Sequence, residues 1–233
     1  MNIPKRLILL KAINQLFDDF VADQAVACRK SCAVCCTCNV TLTTLEGFLI
    51  VDQLNGQQRV NIFARLQPFK AKQRFQPTIS INQMARMCLQ GVDIPAESAD
   101  PGMGVCPLLE EQLCPIYALR PFACRSMLST VVCRRGGEAR ISPFVMTVNQ
   151  TILQYLEAID TPGYSGNLID ILTFLTDPMH TGAYESGQLP PAPAGLTVNM
   201  DLPVLMIPPE HRKRITPLLQ KMQQAILQAQ KLS

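Results

Sequence analysis

Apolar positions recur along the first part of the chain at the spacing of one helical face: Leu9, Ile13, Leu16, Phe17 and Phe20 predict an amphipathic helix from Pro4 to about Val26, with Lys11, Asp18 and Asp19 on the other side. The period breaks at Arg29, Lys30 and Ser31, so the cysteine-rich segment that follows reads as an irregular loop. Thr43 with Glu46 three positions on fits a capping box, and Leu45, Phe48 and Leu49 begin an apolar face behind it, predicting a helix to about Asn55. A further helical piece, roughly 57–67, carries Val60, Phe63 and Leu66, and Pro68 and Pro77 close that region. The stretch from Ile94 to Met103, with Pro95, Pro101 and Gly102, reads as a loop that delivers the chain to Cys106.

Met127 to Cys133 is a short β-rich run, Gly136-Gly137 is a turn signal, and Ala139 to Val145 resumes an extended pattern; together they predict a small β-hairpin. Val148 to Ile159 and Leu168 to Leu175 predict helices stopped by Pro162-Gly163 and by Asp177-Pro178. From Pro178 to Pro209 the chain is rich in Pro, Gly and Ala without clear period and reads as a meander. Thr216 and Pro217 supply an N-cap and first residue for a C-terminal helix, whose Leu218, Leu219, Met222, Ala225, Ile226 and Ala229 line one face. The expected fold is mainly α, with a small β-hairpin, wrapped around an irregular cysteine-rich metal-binding centre. Residues 1–177 form the cysteine-cluster domain, and the Pro-rich meander and C-terminal helix of 178–233 pack on it.

Composition supports a buried core: 233 residues, 48% of them hydrophobic. The formal charge of +3 predicts neither a nucleic-acid partner nor a polybasic membrane clamp. No run approaches the roughly 18 to 20 apolar residues that a membrane-spanning helix needs. Lys11 ends the short apolar run at the start of the chain with no cleavage signal after it, so a cytoplasmic protein is expected.

In that reducing compartment ten cysteines require an explanation other than disulfides. They are also clustered. Cys28, Cys32, Cys35, Cys36 and Cys38 crowd one segment, Cys88, Cys106, Cys114, Cys124 and Cys133 follow, and none lies beyond. Two-residue spacing, as between Cys32 and Cys35, lets a loop turn two sulfurs onto one ion, and Cys106-Pro107, Cys114-Pro115 and Cys124 offer further ligands from a distant segment.

These residues resemble the YkgJ-type cysteine-cluster proteins, a family described as a zinc- or iron-chelating domain. Its pattern is a C-x2-C-x2-C-C group, an isolated cysteine, a cysteine followed shortly by leucine, and then C-x-I-Y-x-x-R-P-x-x-C-R. The last element is present in full, from Cys114 through Ile116, Tyr117, Arg120, Pro121 and Cys124 to Arg125; Cys106 with Leu108 and Leu109 fits the one before it, and Cys88 the isolated cysteine. The resemblance, which spans Cys28 to Arg125, implies eight thiol ligands: Cys28, Cys32, Cys35, Cys36, Cys88, Cys106, Cys114 and Cys124. It departs from the pattern at one place, where three residues rather than two separate Cys28 from Cys32. Cys38 and Cys133 match nothing and are expected to be inert thiols. Because neighbouring side chains converge poorly on one tetrahedral centre, one of Cys35 and Cys36 ligates while the other serves a second metal or packs.

His180 and His211 lie far from the cysteines in sequence, which disfavours a mixed Cys/His site and leaves all-sulfur ligation: an iron-sulfur cluster, such as 4Fe–4S, or a zinc ion held by four thiolates. Either centre would be anionic. Arg120 and Arg125 are expected to balance it, or else to cap a helix end and sit in solvent, respectively. Tyr117 either hydrogen-bonds a ligating sulfur or packs as a core aromatic. No dinucleotide loop, Walker loop, nucleophile elbow or His-Glu-x-x-His helix is present. Three function classes remain open: a metal-binding module, an iron-sulfur enzyme or electron carrier of the methyl-transfer or redox type (as the flagellin lysine methylase relatives of the family imply), and a redox or metal sensor.

Overall fold

The computed structural model describes residues 1–97, 104–133 and 138–231. It is mainly helical with one small antiparallel sheet. The first helix, α1 (Ile3–Ala22), starts where the Asn2 side chain accepts the Lys5 N–H. It ends earlier than its apolar pattern suggests, because Gln24 closes a turn onto Val21 and the Ala27 N–H is committed to the Ser129 carbonyl at 2.7 Å. Strand β1 (Thr41–Thr43) runs directly into α2 (Thr44–Gln53), and the predicted capping box forms: Glu46 N–H reaches the Thr43 hydroxyl while the Glu46 carboxylate reaches back to the Thr43 N–H. Next come α3 (Gly56–Leu66), capped by Asn55, and α4 (Ile81–Gln90), capped by Ser80 and ended by Gly91 in the left-handed conformation.

The single turn α5 (Phe122–Arg125) is followed by α6 (Pro143–Ile159), strand β2 (Tyr164–Asn167), α7 (Leu168–Phe174) and α8 (Pro178–Glu185), and the chain closes with β3 (Leu196–Val198) and α9 (Arg212–Lys231). The sheet order is β1-β2-β3, with Leu42 opposite Gly166 and Gly166 opposite Leu196. Leu9, Leu10 and Ile13 of α1, Leu45 and Ile50 of α2, Val148 and Ile152 of α6 and Ile171 of α7 are fully buried in one core. Helix α9 lies along α1 and contributes Ile215, Met222 and Ala229 to that core. Among the described residues no helix is long and apolar enough to cross a membrane.

Two buried carboxylates on α6 and its C-cap tie the layers together. Asp160 accepts from Arg6 Nη1 (2.9 Å), the Tyr184 hydroxyl (2.6 Å), the Leu45 N–H (2.9 Å) and Asn199 Nδ2 (3.2 Å), joining α1, α8, α2 and the segment after β3. Glu157 accepts from the Ser80 hydroxyl (2.6 Å) and the N–H groups of Asn82 (2.9 Å) and Met200 (2.7 Å), which seats the start of α4. Burial pushes both carboxyls upward, Asp160 to about 7, against the pull of the donors around it.

Four elements differ from the expectations. The small sheet is not built from residues 127–145: Ser142 caps and Pro143 opens α6 instead, and of the expected ladder the Thr130–Arg140 backbone pairing is formed, while the Gly136-Gly137 turn lies outside the described residues, as does the loop beyond residue 97 up to 103. Helix α4 was not expected at all. The meander after Asp177 contains α8, with Asp177 as its N-cap accepting the Met179 N–H, and the edge strand β3. Thr216 and Pro217 do not start the C-terminal helix: α9 begins at Arg212, continuing the 3-10 turn of Pro209–His211, and the Thr216 hydroxyl bonds back to the Arg212 carbonyl at 2.8 Å.

Candidate metal centre

The loop after α1 is irregular because its backbone bonds go to short turns and to a distant segment. Cys32 N–H closes a turn on the Arg29 carbonyl, with Ser31 in the left-handed region (φ 71°), and Cys36 N–H closes another on Ala33. Then the chain pairs with the stretch around Cys106: Cys106 N–H donates to the Cys36 carbonyl at 3.0 Å and Cys38 N–H to the Gly104 carbonyl at 3.1 Å. That two-bond splice brings the early cysteine group to the later one across about seventy residues of sequence.

Several sulfurs come near one another in consequence. Cys36 feels the charge of Cys35, Cys106 and Cys124, Cys124 that of Cys106, Cys114 and Cys35, and Cys106 that of Cys114 and Cys38. The Cys36 thiol donates a hydrogen bond to Cys35 Sγ, which lowers the Cys35 thiol to about 6 and raises its own. Burial dominates for the others, pushing Cys106 up to about 11 and Cys114 and Cys124 upward too, with repulsion from neighbouring thiolates adding to it at Cys106 and Cys124.

Each Cys-Pro turn aims backbone donors at its own sulfur. Cys106 Sγ accepts the N–H groups of Leu108 and Leu109, and Cys114 Sγ accepts that of Ile116. Proline after the cysteine holds the turn that presents those donors. Between the two turns, Glu110 and Leu113 pair in both directions around Glu111 (φ 43°) and Gln112 (φ 69°), a two-residue hairpin that places non-glycine residues in left-handed conformation, and Arg65 of α3 holds Glu110 at 2.6 Å. A cleft of about 890 Å³ opens here, bordered by Lys30, Cys32, Cys36, Cys114 and Tyr117.

Cations and one acid frame the sulfurs. Arg120 stacks on the Tyr117 ring at 4.0 Å, donates to the Tyr117 carbonyl and pulls the Cys114 thiol down electrostatically. Tyr117 is half-buried beneath that guanidinium rather than in the core. Arg125 is not solvated: it pairs with Asp18 of α1 at 2.8 Å and donates to the carbonyls of Ala118 and Arg120, tying the Cys114–Cys124 loop to α1. Glu46 was legible only as half of a capping box. Its other oxygen accepts the Phe122 N–H at 2.7 Å, which fixes the turn carrying Cys124, and burial raises its carboxyl.

The remaining cysteines are placed less centrally. Cys28 accepts the Ser129 N–H and feels Cys133, Cys32 and Cys35, so it stands at the edge of the group with Cys32, and Cys133 comes to it although it matched no motif. Cys38 is buried in the core, with its thiol directed at Asn39 Oδ1. Cys88 is exposed near the end of α4. All ten thiols are free. His180 is stacked on Phe174 and His211 bonded to Thr147, both engaged in packing. Among the described residues no three His, Cys, Asp or Glu side chains stand in metal-gripping positions. The donor chemistry of the five central sulfurs, with backbone N–H groups aimed at two of them, nevertheless fits an all-sulfur centre. No protein-family model, curated protein or solved structure matches the chain.

Proposed function

We propose that this chain is a metal-binding protein that holds iron, as an iron-sulfur cluster, or zinc through the thiolates of Cys35, Cys36, Cys106, Cys114 and Cys124, with Cys32 and Cys28 at the margin. One observation carries the reading. Thiols of two segments stand near enough for their anions to repel one another, and burial opposes their ionisation. Such a gathering is costly in its own right, and a cation or cationic cluster is the partner that turns it into a stabilising one. A bound centre would supply electrostatic cohesion between the early loop and the Cys106–Cys124 segment. Arg120 and the N–H groups of Leu108, Leu109 and Ile116 would offset its negative charge.

A second reading, an iron-sulfur enzyme or electron carrier of the methyl-transfer or redox type, is favoured by the cleft. It is bordered by Cys32, Cys36 and Cys114 and is large enough for a small substrate. Anaerobic purification with analysis of iron, acid-labile sulfide and zinc tests both readings. Iron with sulfide and visible absorption supports a cluster, stoichiometric zinc without colour supports the simpler module, and protein free of all three after purification under reducing conditions contradicts the proposal.

A further inference from the structure

Ser129, buried in the segment that leads from α5 to α6, uses every polar group it has. Its carbonyl takes the Ala27 N–H at 2.7 Å, its N–H points at the Cys28 sulfur, and its hydroxyl donates to the Val131 carbonyl at 2.7 Å while accepting the Arg140 N–H at 3.1 Å. That anchor sets two cysteines on one short stretch of backbone. Cys28 Sγ lies 3.8 Å from the Met127 carbonyl oxygen, and Cys133 Sγ lies 3.9 Å from the Val131 oxygen that the Ser129 hydroxyl also uses. The two thiols thus rest on carbonyls placed two residues to either side of Ser129. Burial raises the Cys28 thiol, and of the thiolate charges that add to it the one on Cys133 is largest, ahead of Cys32 and Cys35.

Both thiols are free and partly exposed, so an oxidant reaches them. Residues 25–29 and 127–133 run outside helices and strands, so the two segments can shift to meet the fixed geometry of a disulfide without breaking either kind of element. Neither sulfur is one of the five proposed to hold the metal, and Cys133 fits no element of the cysteine pattern. We infer that Cys28 and Cys133 are a peroxide-oxidisable pair, closing a reversible disulfide that ties the cysteine loop after α1 to the segment entering α6. The first sulfur attacks one peroxide oxygen, breaks the O–O bond and becomes a sulfenic acid with release of water. The second then forms the S–S bond and breaks the S–O bond, releasing another water. Two thiols and one peroxide give one disulfide and two waters, and a dithiol reverses the step by exchange.

Peptide mapping of the full chain as purified tests the pair directly. Trypsin cuts after Lys11, Arg29, Arg125 and Arg134, so residues 12–29 carry Cys28 alone and residues 126–134 carry Cys133 alone. After stoichiometric hydrogen peroxide and blocking of the remaining thiols with N-ethylmaleimide, these two peptides should appear joined as the main linked species, and dithiothreitol should return both as free thiols. Cys133→Ser should abolish the linked species, whereas Cys88→Ser, at an exposed cysteine on α4, should leave it unchanged. The parent protein alone decides the matter if Cys133→Ser folds poorly. Metal content of Cys133→Ser should equal the parent's, which separates this pair from the metal reading. No linked species, a main link from Cys28 to Cys32 or Cys35 instead, or a loss of metal in Cys133→Ser as large as in Cys124→Ser would overturn the inference.

Discussion

Glu46 shows how one side chain can serve two levels of structure. Its carboxylate closes the capping box of α2 through Thr43 and also accepts the Phe122 N–H that opens the Cys124 turn. Glu46→Ala leaves both backbone donors buried and unpaired, so a loss of about 2–4 kcal/mol is expected in urea unfolding. Asp160 sets the pH response. Burial raises its folded value to about 7 against about 4 in the unfolded chain, so the folded state holds the proton longer. Its contribution to stability is therefore full below about pH 4 and lost as pH rises through about 7. The urea midpoint, measured with a chelator present, should fall from pH 5 to pH 8, and Asp160→Asn should flatten that slope. The same variant removes the anion beside buried Arg6, so its stability at pH 8 should still drop, by about 3–5 kcal/mol.

Helix contacts decide the element scale. Gly47 of α2 faces α7 so closely that a Cβ there would stand 2.6 Å from Ile171 Cγ2, whereas one on Gly182 of α8 would meet nothing within 4 Å. Gly47→Ala should cost about 1–3 kcal/mol through overpacking. Gly182→Ala should gain about 0.5–1 kcal/mol by restricting the unfolded chain. Urea midpoints of opposite sign check the pair. What was readable at this scale was the periodic and the capped: α1 from its apolar stripe, α2 from Thr43 and Glu46, α6 and α7 from their cores. Helix α4 was readable too, although it was not expected: Ile81, Met84, Ala85, Cys88 and Leu89 recur at helical spacing between the Ser80 cap and Gly91, and Glu157, far along the chain, seats its start by accepting from Ser80 and Asn82. What was not readable depended on distant partners. β1 is three residues long and exists as a strand only because residues 164–167 run beside it. Pro217 looked like a helix start, yet α9 begins five residues before it, so the proline sits inside the helix and leaves the Lys213 carbonyl without its helical N–H donor.

At the scale of the molecule, the clustering of cysteines raises the expectation of a metal centre with Cys106, Cys114 and Cys124 as its distant contributors. Which sulfurs converge was not in the spacing. Cys36 and Cys106 come near through backbone bonds between their loops, Cys133 joins Cys28 because Ser129 pairs with Ala27, and Cys88 is exposed near the end of α4. The central claim is that the gathered sulfurs hold a metal and the outlying one does not. Metal content per chain, measured on Cys124→Ser and Cys88→Ser after anaerobic purification beside the parent protein, tests it most directly. The account predicts that Cys124→Ser loses most of its iron or zinc and that Cys88→Ser keeps the parent's value; equal metal in Cys124→Ser and the parent, or a loss confined to Cys88→Ser, would contradict it.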